Sequence, residues 1–496
     1  MNLKTTSFAL AASLALVASA AWQQAGSIQV ADAQAFTKAV MKLGEISGNQ
    51  MFGAMAAGFL AEPPGSKFFG PMRPGSTALL PVFFDDTSLD KGFDKLGDTI
   101  EAALLYPMSI DKAEFLKLHP GAVETNGMIC VKGSITGDGD DDDDDAGKLI
   151  YVAFTPDGKW AVVSDKPEQV TLAMGCVKSA ERPLDGALAR VCIAPQGMSA
   201  IRKMVDVAAA EAKKNKEPFD DKVLELLAGV DSFWMGLGVS DLGLDFLGGL
   251  KPVPGTEMAK VGAATLPAAP FAFAGADAVM ASADFSFDKG NVLETWKPFE
   301  DAIKRNGLDI SRFLKITYAD GTTKALYDMS GFVKFVANEA TNSLAKIDSE
   351  KLMNDIKAVA GRSKATPVRI AAVPQNGMMA LVGYKPQFTV AQRFDATLPE
   401  AKGRKLVTAG VFSIATLVQA VLPAVMDVIP EKERAEILPM FAFLPKETAG
   451  GCASMSWCEN GSIRFLSRIS ADELKGIGTA VTGIMGFSAA QQMQKK

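Results

Sequence analysis

The chain has 496 residues, with 51 Lys and Arg against 57 Asp and Glu, one His and five Cys. A net charge of −6 excludes the basic field of a sequence-independent nucleic-acid binder, and a composition 48% hydrophobic and 22% charged excludes a disordered chain. A single His leaves His-rich zinc sites without ligands, and the length favours two or three domains over one.

The N-terminus has the pattern of a secretory signal, residues 1–20. Lys4 supplies its positive charge, Phe8 to Val17 its short apolar core, and Ala18-Ser19-Ala20 a small-x-small cleavage site. The reading that follows is an exported bacterial protein, periplasmic or secreted, beginning near Ala21. The first cysteine is Cys130, so the start carries no lipoprotein cysteine. Export makes disulfides possible, and Cys176 with Cys192 is the preferred pair. Cys452 and Cys458 on one strand would stand roughly 20 Å apart, too far for a bond.

Self-comparison then organises the chain. Asp90-Lys91-Gly92 and Phe115-Leu116-Lys117-Leu118 recur as Asp288-Lys289-Gly290 and Phe313-Leu314-Lys315-Ile316. Asp157-Gly158 with Lys166-Pro167 recurs as Asn376-Gly377 with Lys385-Pro386. Ala189–Ala208 resembles Leu406–Ala424, and Glu257-Met258 resembles Glu473-Leu474. The order of these matches predicts a tandem duplication of a unit of about 210 residues: a first repeat over 21–265 and a second over 266–490.

Within the first repeat, the patterns predict a strand at Thr77–Phe84, matched by Ala278–Phe287, and a helix at Leu89–Leu105, matched by Val292–Asn306. Phe115–Leu118 is expected as a strand beside His119. Strands at Met128–Ile135 and Leu149–Phe154 flank an acidic hairpin tip, residues 137–147. A tight turn at Asp157-Gly158 follows, and Pro167 opens a short helix. After it come a strand and long helix, a helix at Asp220–Leu227 and a hairpin over Phe233–Leu250.

The second repeat adds a helical insertion at 331–360. Its charge-free stretch Leu406 to Met426 contains Thr, Ser, Gln and Pro and is expected as a buried core helix, not a membrane span. A helix at Glu431–Leu438, a hairpin over Ala453–Ile469 turning at Asn460-Gly461, and a helix opened by a Ser470-Ala-Asp-Glu473 capping box complete it. The expected fold class is α+β, each unit an antiparallel sheet with helices packed on one face.

Chemistry is sparse. Asp138, Asp140, Asp142 and Asp144 in the acidic tip could attract a divalent cation such as calcium, although Leu149 stands where an EF-hand needs a Glu. No other cofactor is expected. Ser343-Leu-Ala-Lys346 lacks the companion motifs of a Ser-x-x-Lys enzyme, His119 lacks a nucleophile, and Gly236-Leu-Gly238 lies within a strand. What is abundant is apolar surface, 29 Phe and 22 Met, with Phe233, Trp234 and Met235 clustered in one hairpin and Met455 and Trp457 in another.

The leading reading is therefore a non-enzymatic exported binding or interaction protein. Its partner would be an unknown protein or an apolar small molecule, held at the junction of the repeats or on exposed sheet edges. Nucleic acid is not an expected partner, and the mature chain has no expected transmembrane segment. Two alternatives are a carrier of lipid or another apolar molecule, and a hydrolase with carboxylates such as Glu257 and Glu473.

Overall fold

A computed structural model describes residues 22–48, 66–85, 100–132, 149–181, 184–215, 227–263, parts of 265–283, 386–419 and 442–494, with isolated positions elsewhere. The signal segment 1–20, the insertion 331–360, the turn Asn376-Gly377 and most of the helices expected at 220–227 and 431–438 lie outside the described residues. The fold is α+β, helices combined with a large antiparallel sheet. Among the described residues no helix is long and apolar enough to cross a membrane.

The chain divides into two units. The first comprises 1–42, 52–239 and 248–253; the second comprises 43–51, 240–247 and 254–496. In the first, β1 (Trp22–Ala31) is followed by α1 (Ala33–Ser47), α2 (Ser66–Phe69) and β2 (Thr77–Asp85). Next come β3 (Ile100–Ala102), β4 (Leu104–Pro107), α3 (Lys112–Leu118), β5 (Val123–Thr125), β6 (Met128–Lys132), β7 (Leu149–Phe154) and β8 (Trp160–Ser164). Then follow α4 (Pro167–Met174), α5 (Val177–Ala180), β9 (Ala189–Ile193), α6 (Pro195–Asn215), β10 (Val230–Ser240) and β11 (Gly243–Pro252), whose residues 243–247 are counted with the second unit. The strands of this unit lie in the order β10-β9-β1-β2-β4-β8-β7-β6-β5, each antiparallel to its neighbour.

Helices cover both faces of this sheet, not one. Strand β8 shows why. Trp160 and Val162 join Leu105, Ala153 and the α4–α5 residues Val170, Ala173 and Ala180 in one core. Ala161 and Val163 point the other way, into a core with Phe68 and Phe69 of α2, Phe115 of α3, Tyr106 and Val152. All five β8 residues are buried. Its sequence Trp-Ala-Val-Val is accordingly a continuous apolar run, not an alternation.

In the first unit two elements differ from the sequence expectation. The end of the helix expected at Leu89–Leu105 is extended chain: β3 pairs with β2, and β4 pairs with β8. Strand pairing prevails there because Leu105 and Tyr106 each have a core to enter, on opposite faces. Conversely, Phe115–Leu118 is helical. Asp111 and Glu114 form a reciprocal capping box around the start of α3, which turns Phe115 inward. The turn at Asp157-Gly158 stands as expected, with Gly158 at φ 70° and the Thr155 and Lys159 donors on Asp157. Those donors hold the exposed Asp157 carboxyl below the usual carboxylate range.

The second unit contains α7 (Glu257–Ala263), β12 (Met280–Ala283), the two-residue strands β13 (Leu314–Lys315) and β14 (Leu326–Tyr327), β15 (Ile370–Ala372) and α8 (Val390–Thr397). It continues with β16 (Leu406–Phe412), β17 (Cys452–Glu459), β18 (Ser462–Ser470) and α9 (Ala471–Gln494). Strands lie in the order β15-β12-β16-β17-β18, the pairs all antiparallel. The charge-free stretch from Leu406 is not one helix: it is strand β16 followed by helical residues 414–419. Ala409 and Val411 alternate into the sheet's buried side, where they share a core with Leu406 and with Val390 and Phe394 of α8.

Candidate functional site

An apolar concave feature of the first unit follows from one bulge. The β1–β2 register shifts between Gln24 and Gly26, which displaces Ala25 from the ladder. The Ala25 carbonyl instead accepts the Ala194 N–H at 2.8 Å, just before Pro195 opens α6. The helix is therefore seated directly on β1. Gly197 makes that contact possible, since a Cβ there would stand 1.9 Å from the Ala25 oxygen.

From this contact α6 runs over an apolar stretch of the sheet. The register places Val82, Gly26, Ile193 and Phe233 in one row across β2, β1, β9 and β10. Leu80, Ile28, Val191 and Met235 form the next row, and Ala78, Val30, Ala189 and Leu237 the third. Ile28, Val191, Met235 and Leu237 are each 37–46% exposed. A soluble sheet normally alternates apolar and polar faces to avoid such exposure.

Between helix and sheet lies a half-open groove of about 240 Å³. Its helical wall is Gly197, Ala200, Ile201 and Met204, and its floor includes Ile28, Val82, Phe84, Val191 and Ile193. Ser27 and Cys192 border it through strand positions whose neighbours along the strand face the groove. Among the described residues no charged side chain lines it.

The residues singled out in the sequence fall elsewhere. Asp138, Asp140, Asp142 and Asp144 lie outside the described residues, as does Ser343 to Lys346. Among the described residues no group of three or more His, Cys, Asp or Glu could hold a metal ion. His119 caps α3; its Nε2 is 2.7 Å from the Phe68 carbonyl, and its ring lies against Phe68 and Phe115. A carbonyl only accepts, so Nε2 carries the proton. Gly236 and Gly238 serve close backbone packing: a Cβ would come within 2.9 Å of the Ala189 oxygen and 2.6 Å of the Gly186 oxygen.

Glu473 is not an exposed acid, and its expected capping box is only half formed. Ser470 Oγ accepts the Glu473 N–H at 3.2 Å, but the Glu473 side chain turns to a different helix. It accepts from Ala415 N at 3.0 Å and Ser413 Oγ at 3.1 Å, placing a buried carboxylate at the start of helical residues 414–419. Both oxygens are engaged in holding structure. Glu257 opens α7.

No disulfide joins any of the five cysteines, so the expected Cys176–Cys192 bond is corrected. Cys176 is buried against α4 and α5 neighbours, with its thiol 3.6 Å from Gln24 Oε1, while Cys192 occupies a strand position opposite Ser27 and Trp234. Burial raises the Cys176 thiol, and burial together with the Glu473 charge pushes Cys452 up to about 12. At pH 8 the Cys452 thiolate is then about one part in ten thousand. Native protein treated with a maleimide should label Cys458, the exposed cysteine, fast, and Cys452 only on unfolding. Mass mapping that found Cys452 modified as fast as Cys458 would contradict this packing.

Comparison with known protein families, with curated proteins and with solved structures finds no match. The groove itself left one trace in the sequence: Gly197 and Ala200, small residues at helical spacing just after Pro195, mark a helix that approaches a strand closely. Its floor was not legible, because cross-strand rows exist only once register is set.

Proposed function

We propose that the chain is an exported, non-enzymatic binding protein made of two duplicated α+β units, of which the first carries an apolar ligand under α6. The observation that carries this reading is the groove lined by hydrocarbon and continuous with exposed apolar rows of β1, β9 and β10. Pockets with apolar linings and few polar groups are the usual form of small-molecule sites.

The duplication is supported by a recurring topology. The pairings β1·β9 and β9·β10, with the β10–β11 hairpin, have counterparts in β12·β16, β16·β17 and the β17–β18 hairpin. One spacing of 219 residues relates strand ends Ile193 and Phe412, helix starts at 195 and 414, and hairpin turns at 241–242 and 460–461. The same 219 separates Lys166-Pro167 from Lys385-Pro386. In this arrangement β12 takes the place of β1 rather than of β2.

The second unit also supports ligand binding over folding need as the reason for these apolar rows. The positions of Ile28, Val191, Met235 and Leu237 correspond to Ser282, Gly410, Ser454 and Ser456 in the second unit. Thr408 and Ser456 hydrogen-bond there at 2.8 Å. A fold that tolerates small and hydroxylated residues on this face does not require four exposed apolar ones.

The test is organic extraction of protein purified from its native host, with mass spectrometry of the extract and titration of an apolar fluorophore. One apolar molecule per chain is expected, bound in the first unit. A native preparation with no extractable apolar compound, combined with no saturable fluorophore binding, would remove the reading.

A further inference from the structure

Resting on that reading, we infer that the occupant of the groove is the tail of a single-chain amphiphile, an unbranched hydrocarbon of about eight to ten carbons, with its polar head left in water. The lining decides the chemistry. Strands β1, β2 and β9 beneath the groove are interior to the sheet, so their backbone groups are spent in ladders, and the helical wall is Gly, Ala, Ile and Met. A hydroxyl, amide or peptide bond carried into it would lose its water with nothing in exchange. A saturated chain loses nothing.

Two dimensions set the length. Gly197, Ala200, Ile201 and Met204 form one helical stripe spanning seven residues, about 10 Å at 1.5 Å per residue. An extended chain of ~1.5 Å carbon–carbon bonds advances ~1.3 Å per carbon, so about eight carbons fill that length. The volume of about 240 Å³ gives a similar figure. A cavity of about 150 Å³ accepts the six carbons of benzene, or ~25 Å³ per carbon, so the groove holds about ten. At the Gly197 end, α6 and Ala25 touch backbone to backbone and leave no room for a longer tail. The free end of the stripe is Met204, which is half-buried.

The inference is tested on the full chain with two straight-chain series, free fatty acids and 1-acyl lysophosphatidylcholines from six to sixteen carbons. Both are used below their micellar concentrations, displacing 1-anilinonaphthalene-8-sulfonate. Affinity should rise about fourfold per added methylene and level off near ten carbons, at the same length for both head groups. A series flat from six carbons, one still rising at sixteen, or a break that moves with the head group would each overturn the chain-length inference while leaving an apolar site in place. Failure of the native protein to bind the fluorophore at all would instead remove the underlying reading. Ala200→Phe should abolish both signals. Because a buried site can fail to fold around Phe, Met204→Trp is the second variant: it should shorten the break by two or three carbons with short-chain affinity preserved. An unchanged break in a folded Met204→Trp protein would place the tail elsewhere and refute the assignment.

Discussion

Replacing Arg468 with Ala should destabilise the second unit by about 3–5 kcal/mol, seen as a lower urea midpoint with an unchanged m-value. Arg468 is 4% exposed on β18. Its Nε and Nη2 donate to the two Asp245 oxygens at 2.5 and 2.9 Å, a bidentate pair. Its Nη1 donates to both Glu400 oxygens, at 2.9 and 3.0 Å, and to the Thr397 carbonyl at 3.2 Å. Burial pulls the guanidinium pKa down, but the hydrogen bonds and charges of Asp245 and Glu400 outweigh it, and the net shift is upward. Truncation leaves Asp245, itself buried, as a negative charge without its cation. The cost is that stranded charge, not the gross attraction of the pair. Arg468→Met combined with Asp245→Leu should therefore recover most of the loss, to within about 1 kcal/mol of wild type. A single-variant loss below about 1 kcal/mol would show that water reaches Asp245 and that the network is not closed.

Arg393→Ala should have an effect of the same size by a different route. Arg393 is fully buried on α8. Its Nη2 donates to Glu447 Oε1 at 2.6 Å, and its Nη1 to the carbonyls of Thr448 and Gly450. It thus ties the irregular chain before β17 to a helix. Glu447 passes the connection on, accepting from Thr416 Oγ1 at 3.0 Å and from Gln387 N at 2.6 Å. Truncation takes this donor from the Glu447 carboxylate, the buried Gly450 carbonyl and the half-buried Thr448 carbonyl, about 3–5 kcal/mol in all. Arg393→Lys separates charge from geometry. An ammonium keeps the charge but cannot present two parallel edges to a carboxylate and two carbonyls, so an intermediate loss of about 1–3 kcal/mol is expected. If the Lys variant matched wild type in thermal unfolding, the charge alone would suffice and the forked geometry would be irrelevant.

These two networks were invisible in the sequence for the reason the groove floor was. Arg468 and Asp245 are 223 residues apart, and Arg393 and Thr448 are 55 apart. No local pattern marks one arginine as buried when most arginines are solvated. Turns and hairpins were legible because their signals are local. Asn460-Gly461 takes φ values of 51° and 73° between β17 and β18, and Pro167 stands in the first turn of α4. Glu473 illustrates the limit: Ser470 and Glu473 have capping-box spacing, yet the carboxylate found unsatisfied N–H and O–H donors at residues 413–415 and turned to them.

By itself the sequence determined the α+β class, the turns at Asp157-Gly158 and Asn460-Gly461 with their hairpins, and the strand-to-helix step at residues 193–195. Each depends on residues within a few positions of one another, where φ preference, capping and alternation act directly. The tertiary structure decided the rest. Whether the chain from Ile100 to Pro107 pairs as strand was settled by partners in β2 and β8, with Ile100 set opposite Phe84 and Leu105 opposite Val162. Which face each helix covers, which arginines lose their water and where apolar rows line up depend on register between strands far apart in the chain. Register is fixed by long-range packing, and a shift of one residue would turn every side chain to the opposite face.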